Sequence, residues 1–229
     1  MPQKENSKLS IFNLFKCDRN KDSENKPEHS AEEKIILAAT SVFQQHGFSG
    51  AKMQQIATTA CVNKALIHYY FKNKEQLYIQ VLGHIMDLYW TRLDQEISKA
   101  NTAVELITNI TNGMFEVLKE NPECRGVILQ ELAQGGPFIE DVKNQISLSC
   151  EPALLKIMTM LQGFMDQGEI RKMDPMGIFM NLSGMCHYTF MQLPFARISN
   201  LIEMPTDESE YFKAKANFIV DMTVKGLLK

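Results

Sequence analysis

Between Ser30 and Leu77 the chain carries three amphipathic segments, the first and third opened by a capping residue and each closed by a break, and this punctuation constrains the fold more than any other stretch. Ser30 is a helix N-cap, and Glu33 three residues on completes a capping box in which each side chain satisfies the other's backbone N–H. Ile35, Ile36, Ala39, Val42 and Phe43 then recur at three- and four-residue intervals until His46-Gly47 ends the run in a left-handed C-cap, with Phe48 placed to fold back. Met53, Ile56, Ala57 and Ala60 repeat the pattern over about two turns. Cys61-Val62 makes a turn, Asn63 caps a third helix and Asn73 a fourth. In the third, Val62, Ile67 and Phe71 point to one side, and Ala65, His68 and Tyr69 to the other.

Two short helices joined by a tight turn form a helix-turn-helix, whose second helix fits a major groove ~12 Å wide. Lys64, His68, Tyr69, Tyr70, Lys72 and Lys74 crowd this region, with no acidic side chain until Glu75. Ammonium groups and tyrosine hydroxyls suit phosphates, as do the unpaired N–H groups of the helix after Asn73. Base edges fall to Lys64, Ala65, Leu66 and His68, the apolar pair suiting thymine methyl groups. Lys52 suits a phosphate contact or a solvated face equally. The formal charge is −3 overall, yet residues 30–75 carry five lysines against three glutamates while 76–229 carry the acidic excess. A basic head on an acidic body approaches DNA head-first, and a head so weakly charged needs a second copy.

At these residues the chain resembles the N-terminal domain of TetR/AcrR-family transcriptional regulators. The shared pattern is Ile35-Ile36-x-Ala38-Ala39 running to Phe43, then Gly47-Phe48, Ile56-Ala57, and Tyr69-Tyr70-Phe71 with Lys74-Glu75 and Leu77, covering roughly a fifth of the chain. The resemblance implies phosphate contacts for Lys74, Tyr69 and Tyr70. Three positions depart from it. Cys61 stands where glycine is usual, and must bear the backbone cost that glycine avoids, as a small buried thiol or as an oxidisable switch. His68 replaces a more frequent tyrosine and can still donate to a phosphate, with a pH dependence that tyrosine lacks. Ala51-Lys52 removes a capping threonine.

The rest of the chain shows no sustained period-two alternation, so the fold class is all-α, about nine helices, with an N-terminal three-helix head and a larger helical body. Residues 1–29 form an extension without a packed core, apart from an apolar island at 9–15; 30–75 form the DNA-binding domain and 76–229 the ligand-sensing and dimerisation domain. The expected body helices run Lys74–Ala100, Thr102 to Asn121, Cys124–Gln134, Phe138–Gln167 with a possible kink at Pro152, Pro175–Asn200 and Asp207–Leu228. Leu77, Val81, Ile85, Leu88 and Leu93 mark the buried side of the first. Five irregularly spaced cysteines, no signal peptide and no long uncharged apolar run predict a cytoplasmic protein that does not enter the membrane.

Nine of the fourteen methionines lie between Met158 and Met204, among Phe164, Phe179, Phe190 and Phe195. Such a stripe is a plain core, a dimer interface or an adaptable cavity for a hydrophobic small-molecule effector. The cavity candidates are Met114, Phe115, Met158, Leu161, Phe164, Met165, Met180, Cys186, His187 and Tyr188. Cys186-His187 does not make a metal site, since adjacent helical residues point about 100° apart; neither metal nor cofactor is implied. The family's architecture implies a homodimer through the last two helices, with Phe179, Leu182, Met185, Phe190, Phe212, Phe218, Ile219 and Met222 as interface residues, set to bind a palindromic operator on double-stranded DNA. The expected switch is a ligand-driven tilt of the fourth helix that releases a repressor. The competing readings are a helical protein-interaction module that uses the head only as a fold, and an enzyme relying on Cys150, Cys186 or His187.

Overall fold

The computed structural model describes residues 30–198 and 208–228, the backbone alone for 144–149. The extension 1–29, its island at 9–15, and Asp207 at the start of the expected last helix lie outside them. Among the described residues the structure is helical without strands, as the periodicity predicts. The helices are α1 (Ala31–Gly50), α2 (Met53–Thr59), α3 (Lys64–Phe71), α4 (Lys74–Ile97), α5 (Ala103–Glu120), α6 (Pro122–Ala133), α7 (Ile139–Asp166), α8 (Pro175–Met191), α9 (Leu193–Ile198) and α10 (Glu208–Leu227).

Local chemistry explains most of these boundaries. The capping box at α1 is formed, Ser30 N–H donating to Glu33 Oε2 at 2.8 Å and Glu33 N–H to Ser30 Oγ at 3.2 Å. Gly47, at φ +66°, bends the chain before a last turn, and Phe48 returns to stack on Phe43 with ring centroids 6.3 Å apart. At α2 no hydroxyl caps the start; the Gln55 side chain accepts from Lys52 N–H at 2.9 Å instead. The α2–α3 turn is a Schellman motif, with Val62 N–H donating to Ala57 O at 3.0 Å and Cys61 N–H to Thr58 O at 3.2 Å. That motif requires a left-handed residue, and Cys61 fills it at φ +55°. Its side chain is exposed, so the expectation of a small buried thiol fails: a C-cap at a tight surface turn points its Cβ outward.

The expected helix Pro175–Asn200 is two helices. Pro194 has no N–H to return to the Phe190 carbonyl, so α8 stops at Met191 and α9 restarts at Leu193. Pro152, by contrast, lies inside α7 without ending it.

The chain forms two compact units. The first takes α1 to α3, α4 up to Ile85, and Glu120–Val142 with α6; the second takes Met86–Lys119 and the chain from Lys143. The boundary expected at residue 75 falls within the first unit. In the first unit α6 lies against α1 where Gly126 leaves room for Gln44, and Gln130 Nε2–H donates to Gln44 O at 2.8 Å. An aromatic cluster joins Phe43, Phe48, Tyr78 and Phe138, with Tyr78 edge-on to Phe43 at 4.8 Å and Phe138 4.7 Å from Phe48. Glu131, only 1% exposed, anchors it, accepting from Tyr78 Oη–H at 3.1 Å and Phe138 N–H at 2.7 Å. Burial and then the Glu131 carboxylate push the Tyr78 phenol well above the usual tyrosine range.

The second unit has one apolar core, drawing Leu93 and Ile97 from α4, Ile110 and Met114 from α5, Ile157 and Leu161 from α7, Leu182 and Phe190 from α8, and Phe212 and Ile219 from α10. Leu88, expected on the buried side of α4, is exposed.

Candidate nucleic-acid interface and sensor core

Helix α3 packs on α2 with Ile67 and Phe71 buried, and turns its other face to solvent. Lys64, Ala65, His68, Tyr69 and Tyr70 are exposed together, Tyr69 to 80%, while Leu66 is half-buried and offers only part of its side chain. Asn63 starts the helix by accepting from Ala65 N–H at 2.9 Å. Tyr69 and Tyr70 stand edge-on, centroids 5.3 Å apart, so the two hydroxyls project from a paired platform. Lys52 is exposed at the start of α2, and α2 itself contains no charged residue.

The end of α3 is unusual. Lys72 adopts φ +54° and ψ −56°, and Asn73 N–H reaches Phe71 O at 2.5 Å, which together describe the rare γ-turn of positive φ. His68 Nδ1 lies 2.9 Å from Lys72 O. A carbonyl only accepts, so Nδ1 carries the hydrogen, and in the neutral ring Nε2 is a bare lone pair. The expectation that His68 can donate to a phosphate therefore holds for the imidazolium alone.

Lys74 is also more committed than a surface lysine. Its Nζ donates to Ser49 O at 3.3 Å and Ala51 O at 3.2 Å, and sits 4.7 Å from the centre of the Phe48 ring. It clasps the start of α4 to the α1–α2 turn, leaving one N–H for a phosphate. Asn73 accepts from Gln76 N–H at 2.8 Å, so one of the N–H groups opening α4 is already used.

The ten cavity candidates do not share one surface. Met114, Phe115, Leu161, Phe164, Met165 and Cys186 are buried in the second unit, and Met158 and His187 are half-buried. Met180 and Tyr188 are 60% and 58% exposed and line no interior. They lie eight residues apart on one face of α8, and the opposite face carries Phe179, Leu182, Cys186 and Phe190 inward. For the same reason Phe179, Leu182, Phe190, Phe212 and Ile219, expected at a dimer interface, are core residues. Exposed apolar side chains on α8 and α10 are Met176, Met180, Met185, Tyr188, Met191, Phe218 and Met222. An apolar groove of about 410 Å³ opens between these helices, lined by Met173, Ile178, Met185, Met222 and Leu227 among others, and none of the ten candidates borders it.

Inside the unit, sequence reasoning missed Tyr89 and Trp90, which face the core from α4, Trp90 stacked on Phe179 at 5.8 Å. Periodicity along α4 could have found them, since they stand four and three residues before Leu93. Burial pushes the Cys186 thiol up to about 12, so it stays protonated, and lowers His187 despite its bond to Ser183. Among the described residues no group of three or more His, Cys, Asp or Glu side chains is placed to hold a metal ion.

Comparison with known proteins fits both units. Residues 35–81 match the family described as bacterial regulatory proteins, tetR family, and residues 104–223 the tetracyclin repressor-like C-terminal domain. The HTH-type transcriptional regulator RutR of Escherichia coli strain K12 is 30% identical over 161 residues, covering 69% of this chain and 74% of its own. The chain belongs to the TetR family. It is a ligand-responsive, DNA-binding transcriptional regulator, and its named relatives are regulators rather than enzymes. The fatty acid metabolism regulator protein of Bacillus subtilis strain 168 is 24% identical over 84% of this chain and 93% of its own. The crystal structure of FadR from Bacillus subtilis in complex with stearoyl-CoA has the same fold, with a TM-score of 0.66 at 22% identity over 84% of this chain and 97% of that one. No helix among the described residues is long and apolar enough to cross a membrane.

Proposed function

We propose that this TetR-family regulator is a cytoplasmic repressor that binds a two-fold symmetric operator as a homodimer and is released by a largely apolar effector held in its second unit. The observation that carries the reading is the division of α3: Ile67 and Phe71 are buried while Lys64, Ala65, His68, Tyr69 and Tyr70 are all presented to solvent. Lys64, Ala65, His68 and the accessible part of Leu66 read base edges; Tyr69, Tyr70, Lys52 and the remaining N–H of Lys74 hold phosphates.

Dimerisation through α8 and α10 is supported by the apolar side chains those helices leave exposed, Met180, Tyr188, Phe218 and Met222 chief among them. Two heads related by a dyad meet half-sites about one helical turn of DNA, or a multiple of it, apart. The effector acts through α4, one continuous helix whose first turns belong to the first unit and whose last turns belong to the second. Coupling of about 1–3 kcal/mol suffices. The relatives' ligands differ, and stearoyl-CoA is FadR's.

Selection of bound fragments from genomic DNA, followed by footprinting of the enriched site, tests this reading. Two protected half-sites in register with the helical repeat are expected. A single protected half-site would contradict the dimer, and no enrichment over bulk DNA would contradict the operator.

A further inference from the structure

Tyr89 on α4 is nine-tenths buried, and its hydroxyl, with the Ser183 side chain as its polar neighbour, completes no hydrogen bond of normal geometry in the chain. Buried polar atoms are rarely left so. Beside it stands His187 on α8, ring centroids 5.8 Å apart. The hydrogen-bond contacts of His187 are all made by Nδ1, 2.7 Å from the Ser183 carbonyl and 3.3 Å from Ser183 Oγ. Because a carbonyl only accepts, Nδ1 carries the hydrogen, and Nε2 of the neutral ring is a lone pair. A phenol that can donate and an imidazole that can accept thus lie side by side without bonding each other.

Their surroundings are apolar. Trp90 stands edge-on to Tyr89 at 5.6 Å, and the partly buried, unbranched Met86 and Met158 pack against the same core, where they can shift to admit a guest. Burial lowers the His187 pKa and raises that of Tyr89, so both rings stay uncharged near neutrality. An anionic guest would find a lone pair there and no compensating charge.

We infer that the effector of this unit is an uncharged, largely apolar molecule bearing a hydroxyl, which donates to His187 Nε2 and accepts from the Tyr89 O–H. One hydroxyl satisfies both groups, whereas a hydrocarbon satisfies neither. The inference rests on the reading of the second unit as the sensor.

Trp90 is the only tryptophan in the chain, so its emission reports on this site. The full-length protein without DNA is titrated with para-phenylphenol, biphenyl and para-phenylbenzoate. The phenol is expected to perturb Trp90 emission and to bind at least about tenfold more tightly than biphenyl, with the benzoate weakest. Y89F should narrow that advantage and H187F abolish it; should H187F fail to fold, H187Q, which keeps an acceptor, must retain it. Equal binding of phenol and biphenyl, no response to the phenol up to its solubility limit, or an advantage that survives Y89F and H187F overturns the inference. The regulator reading is tested separately, by operator release. A compound that releases DNA although the phenol does not bind sinks only the hydroxyl; a phenol that binds as described yet leaves DNA binding unchanged sinks only the release.

Discussion

His68 and Lys72 bind each other twice across the last turn of α3: Lys72 N–H donates to His68 O at 3.1 Å, and His68 Nδ1–H donates to Lys72 O at 2.9 Å. The second bond holds the carbonyl of a residue at φ +54° and dictates which imidazole nitrogen is left to meet DNA. The neighbouring ionisable groups are Lys64 and Lys72 one turn to either side, with none on α2. With Nδ1–H committed to Lys72, the neutral ring presents Nε2 as an acceptor, which suits an amino group on a base edge. H68F, which removes that acceptor and keeps a ring of similar size, should weaken operator binding and relax sequence preference at the position it meets. Fluorescence anisotropy at constant ionic strength against the operator and single-base variants measures this, and H68F binding all of them as the wild type does would exclude the base contact.

The turn before α3 carries a cost that sequence alone could name and structure now locates. A left-handed conformation costs a non-glycine residue about 1–2 kcal/mol, while glycine gives back about 0.4–1 kcal/mol through its freer unfolded chain. C61G should therefore stabilise the protein by about 0.5–1 kcal/mol. Urea midpoints at constant slope measure it, and a loss of stability would mean that the Cys61 side chain makes a contact worth more than the strain.

Two glycines predict opposite signs for the same substitution. A Cβ at Gly126 would lie 2.5 Å from Gln44 Cγ, on the face where α6 meets α1. Overpacking of about 1–3 kcal/mol outweighs a helix-propensity gain of about 1 kcal/mol, so G126A should destabilise. At Gly163 in α7 nothing lies within 4 Å of the added carbon, so G163A should stabilise by up to about 1 kcal/mol. Thermal unfolding of the two variants side by side should separate them in direction as well as in size.

His187 makes stability depend on pH. Burial depresses its folded pKa, so the unfolded chain takes up the proton more readily. Its contribution is complete above the unfolded value of about 6.5 and is lost as pH falls below it. Denaturant titrations from neutral to mildly acid pH should show a decline that H187F shortens, and an H187F profile parallel to the wild type would assign the decline to other groups.

What the sequence made legible was local. Ser30 with Glu33, the left-handed break at Gly47 and the two faces of α3 follow from spacing and capping, which depend on residues a turn apart. The partners of Lys74 and Gln130 lie 23 and 86 residues away, at Ala51 and Gln44, and no periodicity announces them. Hence Lys74 reads as a simple phosphate ligand in sequence and as a clasp in structure, and α6 joins the head instead of the body. The same limit explains Met180 and Tyr188. Methionine and aromatic content is high on both faces of α8, so composition could not separate the core face from the exposed one.

That the exposed face of α3 binds DNA is tested most directly by a salt titration of operator affinity for the wild type, K64A and Y69A, with dimerisation checked in parallel. The slope of log affinity against log salt should be steep for the wild type, shallower for K64A, which takes a cation off the DNA-facing surface, and unchanged for Y69A, which removes an uncharged hydroxyl and should lower affinity at every salt concentration, with unchanged self-association in both. Affinity and slope unchanged in both variants would contradict the claim and place DNA contact elsewhere on the protein.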